Sequence, residues 1–293
     1  MRKHVGEIAL TIVAIIWGSG FVASAVSLEH FTPYQILAIR FLVGVLLLIL
    51  VFFKKLKMIK KSTIIKGSII GFFLYLAFAL QTVGLQYTTP SKNAFLTAVN
   101  VVIVPFIAFF IYKRKMDKFE LFGSLLAITG VGVISLKLTA EVNLGDLLTL
   151  LCAVGFAFHI FYTAQFVKNE DPILLTIIQM ATAAILGLIV VIFKGETSFS
   201  MNVEGVSNVL YLGVFSTTIA FLLQTFAQKY TTETNAAIIL STEALWGMVF
   251  SIILLSEVIT IKMIMGAILI LIAIIISETK FNFFKKKTIE EVL

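Results

Sequence analysis

The sequence predicts an all-α integral membrane protein of ten transmembrane helices, arranged as two inverted five-helix repeats with both termini in the cytoplasm. Three observations predict it. Of 293 residues, 59% are apolar and only 13% are charged, with a mean hydropathy of +1.05. The apolar residues fall into ten continuous runs, each near the roughly 20 residues that cross about 30 Å of hydrocarbon. The second half of the chain also repeats the first in register.

A soluble fold is excluded by the composition, since soluble domains average about 25% charged residues and this chain has too few to cover an exterior. In lipid every backbone polar group must be satisfied internally, which leaves helices or closed barrels. Barrel strands alternate in polarity over about ten residues, whereas these runs are continuous. Charged, Pro, Gly and Asn punctuation bounds spans at 6–26, 33–53, 65–86, 92–112, 119–138, 145–166, 172–194, 205–228, 235–255 and 259–279. The short connections leave no room for a soluble domain. The chain therefore divides into a first repeat over 1–138, a second over 139–280 and a basic, Phe-rich tail over 281–293 at the cytoplasmic interface.

Sidedness comes from the 23 Lys and Arg residues. Alternate segments place 18 of them on one side and 4 on the other, with Arg40 inside a span. The positive-inside rule puts the rich side in the cytoplasm. The high pI of about 9.4 thus belongs to membrane topology and implies no nucleic-acid partner. Arg2-Lys3-His4, an apolar run and Ala23-Ser24-Ala25 resemble a secretory signal with its cleavage site. The repeat gives this segment a full-length partner, so it is read as the first span.

The repeat is clearest in polar residues. A shift of 143 aligns Leu80-Gln81-Thr82 with Leu223-Gln224-Thr225, Tyr87-Thr88-Thr89 with Tyr230-Thr231-Thr232, and Gly123 with Gly266. A shift of 139 aligns Gly6 with Gly145 and Pro33 with Pro172. Five spans per repeat force the halves into opposite orientations. Matched connections agree, because Lys113–Lys118 is basic and its partner Ser256–Ile261 is not. Inverted halves can exchange conformations and so alternate access to a central site.

Ionisable groups inside spans cost on the order of 2.5–3.5 kcal/mol and mark function more often than packing. Here they are Arg40, Glu243 and His159. Glu243 lies mid-span with Asn100 as its repeat partner, and a carboxyl group near the pseudo-two-fold axis can bind solute or exchange a proton. Arg40, matched with Gln179, can hold a carboxylate by a bidentate contact or pair with a carbonyl or Glu243 to fix the bundle. His159 is a proton relay or a hydrogen-bonded packing residue. Trp17, Tyr75, Gln81, Asn93, Thr97, Tyr162, Gln224 and Trp246 are further cavity-lining candidates, aromatics as walls and amides as orienting groups. Gly18, Gly20, Gly67, Gly71, Gly130 and Gly132 permit close helix approach. The lone Cys152 excludes an internal disulfide. Metalloprotease, nucleophile-elbow and Walker patterns are absent, so the chain is read as neither an enzyme nor an ATP-driven pump, with no cofactor and no metal.

Trp17-Gly18-Ser19-Gly20-Phe21, Arg40-Phe41-Leu42 and the paired segments 87–112 and 230–257, the latter ending in Leu254-Leu255-Ser256-Glu257, resemble the EamA type of the drug/metabolite transporter superfamily. The resemblance covers nearly the whole chain. It implies a ten-helix fold with a central cavity lined by the fourth and ninth spans, and export of amino acids or related metabolites. The family often has Glu-Pro in the ninth span; this chain has Glu243-Ala244 and lacks the proline that would kink that helix, while Pro105 can kink the corresponding fourth span. The functions that follow are secondary export of a small polar solute across the cell membrane, with or without coupling to protons, or exchange of protons for organic cations. A third class is a non-transporting receptor or scaffold. The partners are a small solute and the lipid bilayer; the oligomeric state stays open, a monomer included.

Overall fold

The computed structural model describes residues 2–113, 115–135, 143–199, 201–227 and 239–279. The tail 281–293, the matched Tyr230-Thr231-Thr232 and Arg114, Lys137 and Lys229 lie outside the described residues. The elements are α1 (Arg2–Leu28), α2 (Pro33–Phe52), a 3-10 turn (Phe53–Met58), α3 (Lys61–Leu85), α4 (Pro90–Ala98), α5 (Asn100–Tyr112) and α6 (Lys118–Ser135). There follow α7 (Leu144–Phe166), α8 (Pro172–Phe193), α9 (Val203–Tyr211), a π-helical segment (Leu212–Ile219), α10 (Ala220–Ala227), α11 (Glu243–Leu255) and α12 (Ile261–Thr279). Every described element is helical. Among the described residues eight helices are long and apolar enough to cross a membrane, and two shorter apolar helices cover Ile239–Leu255 and Ile261–Ser277.

Local chemistry sets the helix starts. Thr32 and Asp171 cap α2 and α8, each followed by proline at the first helical position, and Asn143 and Asn202 cap α7 and α9. These side chains satisfy amide donors that the first turn leaves without partners. Lys113 and Ser256 adopt left-handed backbone with φ of 55° and 53°. They are the C-caps of α5 and α11 and stand 143 residues apart.

The helix faces are sorted for lipid. Leu121, Phe122, Leu125 and Ile128 point outward from α6, as do Ile264, Ile268, Ile272 and Ile275 from α12. Their small faces meet: a Cβ on Gly130 would lie 2.9 Å from the Gly266 carbonyl, and one on Gly266 would lie 2.7 Å from that of Gly130. Gly67 and Gly71 admit Ile178, Gln179 and Thr182 of α8 in the same way. Lipid chains are as apolar as a protein core, so close backbone approach drives this packing.

Two apolar clusters result. One joins α4, α5, α6, α11 and α12 around Phe95, Val102, Ile134 and Ile270; the other joins α2, α3 and α8 around Phe41, Leu74, Phe78 and Met180. Helices α1 and α7 stand between them. α1 packs on α9, the π segment, α10 and α11, while α7 packs on α3, α4 and α5. Each contact of α1 with the second half thus has a counterpart from α7 with the first.

The connections also segregate into two groups. Lys55 reaches Asp171 at 2.6 Å, while Lys66 and Thr63 reach Glu170 at 2.7 and 2.6 Å, all between segments assigned to the lysine-rich side. The hydrogen bonds from Lys66 and then Thr63 hold the Glu170 carboxyl down at about 2. Burial pushes Asp171 upward, but Lys55 and the amides of Leu174 and Ile173 more than offset it and leave it below its usual range. At the other end Thr32 hydrogen-bonds Glu196, and Gln35 donates to the carbonyls of Glu196 and Ser198 at 2.7 and 2.9 Å.

Candidate functional site

A cavity of about 610 Å³ lies between the two clusters, walled by α1, α3, α4, α5, α7, α10 and α11. It runs from Lys168, beside the lysine-rich connections, to Leu85 near the opposite end. Its size suits an organic solute of modest dimensions.

Positions matched by the two shifts line it in pairs. Trp17 and Phe156, Gly20 and His159, Phe21 and Ile160, and Ser24 and Thr163 face it from α1 and α7. Phe78 and Phe221, Gln81 and Gln224, Thr97 and Leu240, Ala98 and Ser241, and Asn100 and Glu243 face it from the later spans.

Asn100 and Glu243 each open a new helical segment. The fourth span is interrupted at Val99, whose amide bonds the Leu96 carbonyl, and the ninth at Thr242, whose amide bonds the Ile239 carbonyl. Both steps tighten the helix to i→i−3 bonding, leaving Asn100 and Glu243 at the start of α5 and α11. The interruption sits six residues before Pro105 and recurs in the ninth span without any proline. The Asn100 Oδ1 is buried without a hydrogen-bond partner. Among the described residues no hydrogen bond or ion pair reaches the Glu243 carboxyl. Two polar groups thus face the cavity uncommitted, and a buried polar group without a partner is costly unless something binds it.

Arg40 is committed differently. It is 2% exposed and lies with its guanidinium 4.2 Å over the Phe78 ring. Its Nε donates to Thr217 Oγ1 at 3.1 Å and one Nη donates to Ser216 Oγ at 3.3 Å. The pairing with Glu243 that the sequence allowed is not formed. Thr217 and Ser216 stand in the π-helical segment, where widened i→i+5 bonding turns backbone and hydroxyl groups toward neighbours. The Trp17 indole donates to the Ser216 carbonyl there at 2.9 Å, anchoring α1 at the same spot.

The remaining candidates separate. Gln81 donates to Thr97 at 3.1 Å, and Asn93 donates to the Gln81 carbonyl at 3.2 Å and to Thr149 at 2.9 Å, making a polar strip on the cavity wall. Gln224 and His159 also line the cavity, and His159 Nε2 lies 2.8 Å from Gln179 Oε1. Four candidates do not line it, which corrects the sequence reading. Tyr162 stacks on Phe73, Phe158 and Phe166 outside it. Trp246 packs its Cβ against Gly18 and its ring near Phe250. Gln179 stands behind His159, and Tyr75 is buried in the α2/α3/α8 cluster. Sequence reasoning missed the walls formed by Phe78, Phe156, Phe161 and Phe221, and the polar groups of Ser216, Ser241 and Glu120. The matching of Phe78 with Phe221 in the same register as Gln81 and Gln224 was the signal available.

Comparison with known proteins gives one consistent picture. The model of the EamA-like transporter family matches residues 4–136 and again residues 143–279. An uncharacterized transporter of Archaeoglobus fulgidus is 33% identical, with 94% of this chain and 86% of the relative covered. The uncharacterized transporter YoaV of Bacillus subtilis is 26% identical over 94% of this chain and 96% of its own length. A solved crystal structure 14% identical in sequence superposes with a TM-score of 0.68, covering 96% of this chain and 99% of its own, and so shares the fold.

Proposed function

The chain belongs to the EamA-like transporter family, and from that premise we propose that it is a secondary exporter of small polar, amino-acid-like metabolites working by alternating access. It is a multi-pass membrane protein and a transporter rather than an enzyme. The observation that carries the proposal is the cavity itself, lined in matched pairs with the uncommitted Asn100 and Glu243 among them.

Ten helices in two inverted repeats, 1–138 and 139–280, with cytoplasmic termini, best explain the rest. The reciprocal packing of α1 and α7, the matched interruptions at Val99 and Thr242 and the matched left-handed caps support two related halves. The loop charges support their opposite orientation. Exchange of conformation between such halves moves access from one face to the other around a fixed centre. Solute enters from the Lys168 end, where the cavity reaches the cytoplasmic connections. Glu243 binds a solute amine or carries the coupling proton, and Asn100 orients the solute by its amide. Arg40, already held by Thr217, Ser216 and Phe78, fixes the cavity wall and offers its remaining N–H groups to a carboxylate.

Metabolite profiling of cells and medium, with the wild type and Glu243→Gln expressed at equal levels, tests this. One polar metabolite should accumulate in the medium with the wild type only. No difference from empty cells, or the same accumulation with the variant, contradicts the role given to Glu243.

A second reading is favoured by the aromatic walls. An unpaired carboxyl in a cavity with Trp17, Phe78, Phe156 and Phe221 also suits an organic cation, by charge and by cation–π attraction. Protection of cells from cationic toxicants, without relief from amino-acid excess, would mark that case.

A further inference from the structure

The wall that closes the cavity away from the lysine-rich side is thin and is held by side chains that the solute site does not use. Leu85, at the end of α3, is 6% exposed and lines the main cavity. It also lines a second pocket of about 340 Å³ on the far side, formed with Ala25, Leu28, Glu29, Gln86, Thr88 and Leu255. Leu85 is thus a residue that the central cavity and the outer pocket share.

The segment that follows Leu85 is pinned from two directions. The Asp146 carboxylate, 0% exposed at the start of α7, accepts a hydrogen bond from Thr88 at 2.5 Å and lies 3.8 Å from Lys92 Nζ. Glu257, just after α11, accepts from the Ser91 amide at 3.3 Å and the Ser91 hydroxyl at 2.8 Å, and also from Ser251. Gly145 makes the first contact possible, since a Cβ there would lie 2.5 Å from the Gly84 carbonyl and 2.8 Å from the Thr88 amide. Asp146 Oδ2 makes no hydrogen bond and is the oxygen that lies 3.8 Å from Lys92 Nζ, while Glu257 Oε1 is buried without a hydrogen-bond partner among the described residues. The connection is held by a small set of polar side-chain contacts, which can open locally while the packed helices stay intact.

We propose that Leu85–Lys92 is the outer gate of the transport path, with Leu85 as its plug and Asp146 and Glu257 as the latches that hold it shut. The pocket beyond Leu85 is then the exit vestibule, in which Glu29, Gln86 and Thr88 receive a polar solute. Opening requires Thr88 and Lys92 to leave Asp146 and Ser91 to leave Glu257, which frees the connection between the third and fourth spans. This rests on the transporter reading for its purpose, but the gate is testable without knowing the solute.

The test measures access to the cavity from outside intact cells. Cys152, the single cysteine, is replaced by Ser, and Val101→Cys places one thiol on the cavity wall. A membrane-impermeant, charged thiol reagent is added to the medium and the labelling rate is followed. Leu85→Ala, Asp146→Ala and Glu257→Gln should each raise the rate about tenfold, equivalent to about 1.4 kcal/mol of lost preference for the closed state. Thr88→Val is the milder variant if Asp146→Ala lowers the yield of folded protein, and it should raise the rate in the same direction. Unchanged labelling in Leu85→Ala and Thr88→Val, in protein that retains its melting temperature, overturns the gate. Fast external labelling before any latch is removed overturns it as well. Raised labelling without any solute flux would leave the gate standing and count against the transporter reading instead.

Discussion

Replacing Arg40 with Met separates the structural from the solute-binding role of the most buried cation among the described residues. The ion is compensated by a 3.1 Å bond to Thr217, a 3.3 Å bond to Ser216 and the rings of Phe78 at 4.2 Å and Phe41 at 5.6 Å. Among the described residues no carboxylate pairs with it. Placing the charge in a span costs on the order of 2.5–3.5 kcal/mol. One well-placed hydrogen bond from a charged donor returns about 1.5–3 kcal/mol, the longer one less, and a desolvated cation–π contact returns about 2 kcal/mol. Cost and return cancel to within about 2 kcal/mol. Methionine of similar length removes both sides of that balance, as buried ions replaced by apolar residues often do without loss. The hydroxyls of Ser216 and Thr217 can turn to backbone carbonyls. Thermal unfolding in detergent should therefore change by no more than about 2 kcal/mol in either direction, while flux of the exported solute falls at least tenfold. Collapse of the fold would show that Arg40 holds the bundle together. Full flux with normal stability would remove it from the solute site.

Other outcomes follow from the same geometry. Gly18→Ala should be more destabilising than Gly20→Ala, because its Cβ would lie 2.4 Å from Trp246 Cβ and 2.8 Å from a backbone nitrogen, whereas that of Gly20 meets nothing nearer than the Ser216 hydroxyl at 3.0 Å; overpacking costs about 1–3 kcal/mol, and equal melting temperatures would refute it. His159→Leu should destabilise by about 1–3 kcal/mol by leaving Gln179 without its partner, and the double variant His159→Leu/Gln179→Leu should recover part of the loss in a melting series. Glu170 has a folded value near 2 against an ordinary 4.5. Its contribution is therefore present in full above pH 4.5 and is lost as the pH falls toward 2. Glu170→Gln should melt below the wild type at neutral pH, with the gap closing only under acid; a gap that persists at pH 2 would contradict the pairing.

Much of the fold was legible in the sequence because lipid imposes length and continuity on every span. The spans read from punctuation agree with the helices to within a few residues over the first eight. Asn100 and Glu243 were legible as a pair because polar residues are scarce enough in spans for their register to stand out. What stayed hidden depends on rotation about the helix axis. A span that is apolar all round does not distinguish lipid, core and cavity faces by hydropathy, since lipid is as apolar as leucine. Tyr162 and Trp246 therefore read as cavity residues although they pack outside it, while Phe78 and Phe221 stand out only as a repeat match and not as cavity walls. The π-helical segment and the interruptions at Val99 and Thr242 are backbone departures of a single residue. No proline marks them, so their signal is confined to polar neighbours such as Ser216-Thr217-Thr218.

The most direct measurement is flux of the profiled solute in proteoliposomes under an imposed pH gradient, comparing wild type with Glu243→Gln. If Glu243 is the centre of the site, wild-type flux follows the gradient, and the variant loses at least tenfold in rate together with its response to pH. A variant that transports at the wild-type rate and still responds to the gradient would contradict that role.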